Sequence, residues 1–163
     1  MTPDTRTVDL LEIRDLAARY ASGVDRRDRD LFLSAFHPDA RLAVYSDSEA
    51  DEPDSVRQGH EELGQVPSLI TRYRRTFHFV GQHRCEIDGD EATGEVYCIA
   101  RHLTPDDHGG TDFVMHIRYQ DRYRRDDGGW RIAERRVLVD WTEVQAASRI
   151  PKAARGTGTA SAP

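Results

Sequence analysis

Tyr20, Asp25 and His78 have the side-chain types that proton transfer needs: a hydroxyl that donates, a carboxylate that orients and an imidazole that titrates near neutrality. Each also has a plainer reading. Tyr20 falls on the apolar stripe of a helical segment, where a tyrosine is ordinary core packing. Asp25 follows Val24 at the end of that segment. The helix dipole disfavours a carboxylate there, so its pKa should rise unless Arg26, Arg27 or Arg29 offsets the effect. It can equally cap the turn into the next helix. His78 stands between Phe77 and Phe79 in an extended run. Alternation puts His78 and Val80 on one face and the phenylalanines on the other. The imidazole is then either a core histidine bonded to a backbone carbonyl or a base facing a cavity.

Other candidates lie further along the chain. His102 ends one extended run and His116 sits inside the next, so either can line the same hollow as His78 and Val80. Arg135 and Arg136 follow Trp130 and Ile132, and one of them can turn inward to hold a polar substrate oxygen. Asp121, in RYQDRYRR, has arginines on both sides and reads as part of a solvated ion-pair ladder. Asp140 is a second carboxylate within a strand. There is no Cys-x-x-Cys pair or His-Glu-x-x-His helix to suggest zinc, and the histidine spacing matches no familiar metal site. A glycine-rich phosphate loop and a Gly-x-Ser-x-Gly elbow are also missing. Acid/base chemistry without metal or cofactor fits this inventory.

The elements that must position these residues follow from periodicity. Ile13, Leu16, Ala17, Tyr20, Ala21 and Val24 recur at helical spacing and predict a helix over 8–24. Asp28 is a good N-cap for a second, short helix that closes before Pro38. Residues 40–46 predict a strand, and 46–55 an acidic exposed loop that can act as a lid. Residues 60–75 predict a third helix, bent near Gly64 and Pro67. Long extended runs follow at 76–87, 91–103, 112–125 and 130–142, with turns at DGDE, TPDDHGG and DDGG. Three helices packed on a curved, mostly antiparallel sheet make an α+β domain over 1–145. Such a cone-shaped barrel leaves an interior that one helical layer need not fill, a usual place for a small ligand. The stretch 146–163 is small, polar and expected to be a disordered tail.

Bulk properties narrow the partners. The chain has 163 residues, 32% of them charged, and a net charge of −6, which argues against nucleic acid and against an anionic membrane surface. No apolar run approaches the roughly 20 residues that span a bilayer. The start, MTPDTRTVDL, has no apolar signal region, so a cytoplasmic location is expected. If Ile87 faces Ala92 across the turn, Cys85 and Cys98 are out of register for a disulfide, and free thiols are expected.

The segments ARYASGVDRRD, FHPDARL, FHFVGQHRCEIDGDEA and RYQDRYRRDDGGWRIAERR, in that order, cover nearly all of 8–142. They resemble the SnoaL-like group of the nuclear transport factor 2-like superfamily, whose enzymes include scytalone dehydratase, bile acid 7α-dehydratase, lindane dehydrochlorinase and ketosteroid isomerase. The resemblance implies the cone-shaped α+β fold and a cofactor-independent lyase, dehydratase-like, or isomerase. It implies His78 as general base and acid, Asp25 as its orienting carboxylate and Tyr20 as donor to a substrate oxygen. It also points, more loosely, to His102 and to Arg135 or Arg136. The expected substrate is a mostly apolar, oxygenated small molecule such as a polyketide, steroid or terpenoid. A homo-oligomer, dimer or trimer, through the sheet face is expected as well. Two rival readings are a non-catalytic binding module and a cyclase with Asp121 as base, which requires Asp121 to point inward.

Overall fold

The computed structural model describes residues 5–106 and 109–147. Helix α1 (Thr5–Arg26) turns one face inward, burying Asp9, Ile13, Leu16, Ala17, Tyr20, Ala21, Gly23 and Val24. Its end is fixed by a pair of crossed backbone bonds: Asp28 N–H donates to Gly23 O at 2.9 Å and Arg27 N–H to Val24 O at 3.2 Å. This closure needs a left-handed residue, and Arg27 supplies it with φ 58°. The Arg27 guanidinium donates to Asp25 O and to Tyr73 O, both at 3.0 Å, and so ties the helix end to a distant wall of the molecule. Gly23 is needed for a different reason: a Cβ there would lie 2.5 Å from the backbone nitrogen of Phe32. Only a residue without a side chain lets α1 and α2 (Arg29–Leu33) meet this closely.

Six strands follow: β1 (Phe36–Tyr45), β2 (Ser55–Gln58), β3 (Arg75–Asp88), β4 (Glu91–Asp106), β5 (Gly109–Asp126) and β6 (Gly129–Ala146). They form one open sheet in the order β2-β1-β6-β5-β4-β3. All neighbours are antiparallel except β1 and β6, which run parallel. The sheet is therefore mostly antiparallel, as the sequence suggested, with one parallel pair, and it is not closed. Register breaks at Val80/His83 in β3 and at Asp140 and Ala133 in β6, the extra residues opposite His116/Ile117 and Arg122/Tyr123, are bulges of the kind that curve long strands. Between the helices and the concave face lies one core, built from residues such as Ile13, Leu16, Phe32, Phe36, Val96 and Ile132.

Three expectations change. The single bent helix over 60–75 is instead α3 (Gly59–Leu63), α4 (Val66–Leu69) and a 3₁₀ turn (Ile70–Arg72). Gly64 caps α3, and Pro67 opens α4 in the first-turn position where its missing N–H does no harm. The acidic loop is shorter than expected, because Ser55–Gln58 pairs with β1. It is also tied down: Ser48 N–H donates to Val139 O and Asp54 N–H to Val44 O. The strands outrun their predicted ends, and β6 reaches Ala146. Residues 148–163 of the expected tail, and 107–108 of the TPDDHGG turn, lie outside the described residues.

Ile87 does face Ala92, which places Cys85 opposite Gly94 and Cys98 opposite Val80; both cysteines are free thiols. Among the described residues no helix is long and apolar enough to cross a membrane, and no group of three His, Cys, Asp or Glu side chains gathers to hold a metal ion.

Candidate active site

Asp25 and His78 are 53 positions apart in the chain and joined twice in space. The His78 backbone N–H donates to Asp25 Oδ2 at 2.9 Å, and Nδ1 of the ring lies 2.7 Å from Oδ1. A carboxylate can only accept, so the proton on that ring sits on Nδ1 and leaves Nε2 free to act as a base. The His78 side chain is only 6% exposed, and Asp25 22%.

Burial pushes the Asp25 pKa upward, but the hydrogen bonds from His78 outweigh it, and the net shift is below the usual carboxylate value. This corrects the expectation of a raised pKa drawn from the helix dipole. The decisive partner is the histidine, not the neighbouring arginines.

His78 lines a cavity of about 390 Å³ between the helices and the concave sheet face. Tyr20 lines it too, its ring edge-on to His78 at 6.4 Å between centroids. Burial, opposed by the positive charge of Arg135, raises the Tyr20 pKa to about 12. The phenol thus keeps its proton and can serve as a donor. His102 completes this end, with its ring 5.7 Å from that of His78 and 4.7 Å from that of Tyr73. Burial, helped by His78, lowers the His102 pKa to about 4, so its ring is neutral at physiological pH. Its Nδ1 is buried with no hydrogen-bond partner among the described residues. Leu42, Val66, Phe113, Met115, Val137 and Val139 make most of the remaining wall apolar.

The other candidates do not line this cavity. Val80 packs against the core beside it. His116 is on the outer sheet face, stacked on Trp141 at 4.1 Å with Nε2 3.0 Å from Glu143. Plain alternation along β5 projects the ring outward while Met115 and Ile117 reach the interior. Arg136 is likewise outside, bonded to Gln120 and lying over Tyr45. Arg135 does turn inward, but two bonds to Asp121, at 2.8 and 2.6 Å, occupy it.

That pair corrects the reading of Asp121 as part of a solvated ladder, because both side chains are 0% exposed. Tyr123 also donates to Asp121 at 2.8 Å, and the Arg135 guanidinium lies over the rings of Tyr20 and Tyr119 at 4.3 and 4.2 Å. Asp121 points inward, as a cyclase base must, but it is committed to these partners and does not line the cavity. Period-two alternation carried the signal: Tyr119, Asp121 and Tyr123 share one face, and arginines 118, 122 and 124 belong to the other. The sequence reading also passed over Tyr73, Arg57 and Arg72 in the cavity wall, which sit in irregular or short segments with no periodic signal.

A model of the SnoaL-like domain matches residues 5–136, most of the chain. The chain belongs to the SnoaL-like family. Among curated proteins, an uncharacterized protein of Mycobacterium tuberculosis is 29% identical over 129 residues, spanning 78% of this chain and 82% of the relative. Among solved structures, a protein of unknown function from the same organism is 28% identical with a TM-score of 0.71, covering 86% of this chain and 77% of that one. A hexachlorocyclohexane dehydrochlorinase from Novosphingobium barchaimii has a TM-score of 0.75 at 19% identity, covering 90% and 97% of the two chains. A scytalone dehydratase candidate from Novosphingobium aromaticivorans has 0.72 at 21%, covering 92% and 98%. At these identities the two enzyme-named neighbours establish the cone-shaped fold of this SnoaL-like chain and leave its reaction open.

Proposed function

We propose that this SnoaL-like protein is a cofactor-independent lyase of the dehydratase type, acting on a small, mostly apolar, oxygenated molecule. The observation that carries the reading is the twofold bond between Asp25 and His78 at the wall of a mainly apolar cavity. His78 Nε2 takes a proton from the carbon next to a carbonyl, while Asp25 stabilises the imidazolium that forms. Tyr20 donates to the carbonyl oxygen as charge builds there. The electron pair left on carbon forms the double bond and expels the β-hydroxyl. That hydroxyl accepts the proton from Nε2–H and departs as water, which returns the imidazole to its starting state. An isomerase would share the first step and return the proton to another carbon. The dehydratase reading is preferred because His102 offers a second neutral ring near His78, where a departing hydroxyl needs a hydrogen-bond partner.

The first step can be tested without the natural substrate. In heavy water, the protein should catalyse deuterium exchange next to the carbonyl of cyclic β-hydroxyketones, followed by mass spectrometry. His78→Ala and Asp25→Asn should each lower that rate by roughly a hundredfold or more while the circular dichroism spectrum is kept. Exchange at the wild-type rate in either variant rejects the mechanism.

A further inference from the structure

The cavity wall carries charge of one sign. Two of its lining residues are arginines, Arg57 on β2 and Arg72 in the 3₁₀ turn, and no aspartate or glutamate lines it among the described residues. Neither guanidinium has an ion-pair partner among the described residues. Asp25, the carboxylate beside the cavity, is engaged by His78. The acidic segment before β2 does not neutralise the arginines either. Asp54 accepts from the Ser46 backbone, Asp47 from that of Glu49, and Glu49, Asp51 and Glu52 are exposed to water.

Arg57 is half-buried, placed by its pairing opposite Leu42, and Arg72 lies 4.9 Å over the ring of Tyr73. Arg72 is close enough to His102 for its charge to help depress that pKa. Guanidinium groups without an ion-pair partner among the described residues, beside an apolar hollow, are what a ligand with an oxyanion would complete.

We infer that the substrate carries an oxyanionic group, a carboxylate or phosphate, held by Arg57 and Arg72 while its apolar body fills the cavity. This rests on the reading of the cavity as the substrate site and narrows it: the ligand is an amphipathic acid, not a neutral polycycle. Arg57 and Arg72 bind and orient, and the proton transfer remains with His78.

Binding of simple probes tests this independently of turnover. Naphthoate, its methyl ester and naphthyl phosphate are titrated into the full-length protein by tryptophan quenching or calorimetry. Wild type should prefer naphthoate or naphthyl phosphate to the ester by roughly tenfold, and the preference should shrink as salt is raised. Whichever anion shows the larger preference identifies the group. In the Arg57→Gln/Arg72→Gln variant the preference should vanish while ester affinity is unchanged. His78→Ala should keep the preference even though it abolishes proton exchange, so failure of the mechanism and failure of the anion site give different results. Equal affinity for acid and ester overturns the inference, as does a double variant that still prefers the acid. Absence of binding by all three probes overturns it together with the cavity reading.

Discussion

At the scale of single residues, the proposed proton chemistry depends on groups held in different protonation states in and beside one cavity. Asp25 stays ionised because His78 donates to it twice, Tyr20 stays protonated because it is buried, and His102 stays neutral for the same reason. The last has a consequence for folding. His102 binds a proton near the ordinary value of about 6.5 when unfolded but only near about 4 when folded. Between those values the unfolded chain holds more protons, so the native state loses stability as pH falls through that window. His102→Gln should remove this part of the acid sensitivity, which is on the order of 2 kcal/mol once solvent access through the cavity is allowed for. Urea midpoints measured from neutral pH down to about pH 4 should therefore fall less steeply in the variant. The Asp25 contribution has the other window: its folded pKa is depressed, so it stabilises above the ordinary carboxylate value and fades only in stronger acid. Asp25→Asn and His102→Gln should thus alter different parts of the same curve.

At the scale of elements, the site depends on how α1 ends. Arg27 closes the helix in a left-handed conformation, and its side chain joins Asp25 O to Tyr73 O. Arg27→Gly keeps the backbone geometry, even relieving strain of about 1 kcal/mol, and removes the bridge. Stability should change little while the exchange rate falls about tenfold, because Asp25 and the Tyr73 wall lose their common anchor. Arg27→Lys should not restore the rate, since an ammonium cannot span both carbonyls in the fork geometry of a guanidinium.

The buried Asp121–Arg135 pair supports the site from the sheet. Asp121→Ala leaves an uncompensated buried guanidinium and should cost about 3–5 kcal/mol, whereas replacing both partners by leucine and methionine should recover most of that stability. Denaturation of the two variants distinguishes the cases. These elements also show what the sequence could and could not disclose. The helix stripe and the long alternating strands were legible because one buried face imposes a single period over many residues. The Asp25–His78 contact was reachable only through family resemblance, since nothing local brings residues 53 positions apart together. Asp121 was misread because its neighbours in sequence were counted as neighbours in space, though a strand sends them to opposite faces. The broken third helix and strand β2 escaped because segments of four or five residues carry too little periodicity to register.

At the scale of the whole molecule, the outer sheet face is the feature that a single chain leaves without a partner. The same alternation that turns His78 inward turns Phe77 and Phe79 outward, 59% and 60% exposed. Tyr97, Ile99 and Trp141 extend the patch across β4 and β6. It is bordered by ion pairs of both signs, Arg118 with Asp140 and Arg101 with Asp112, so one copy presents the complements of another. A contiguous apolar surface of this kind on a strongly charged chain marks an association surface. We propose that a second copy of the chain covers it, joined by an isologous contact in which each patch meets its own image. Light scattering behind size exclusion should give about twice the monomer mass. Phe79→Glu with Trp141→Glu should return a folded monomer, because two carboxylates would be forced against apolar surface at a shared centre. His78 and the cavity lie on the opposite face of the sheet, so the monomeric variant should keep most of its exchange activity. A monomeric wild type rejects the association, and a variant that loses activity along with its partner would show that the two faces are coupled through β3.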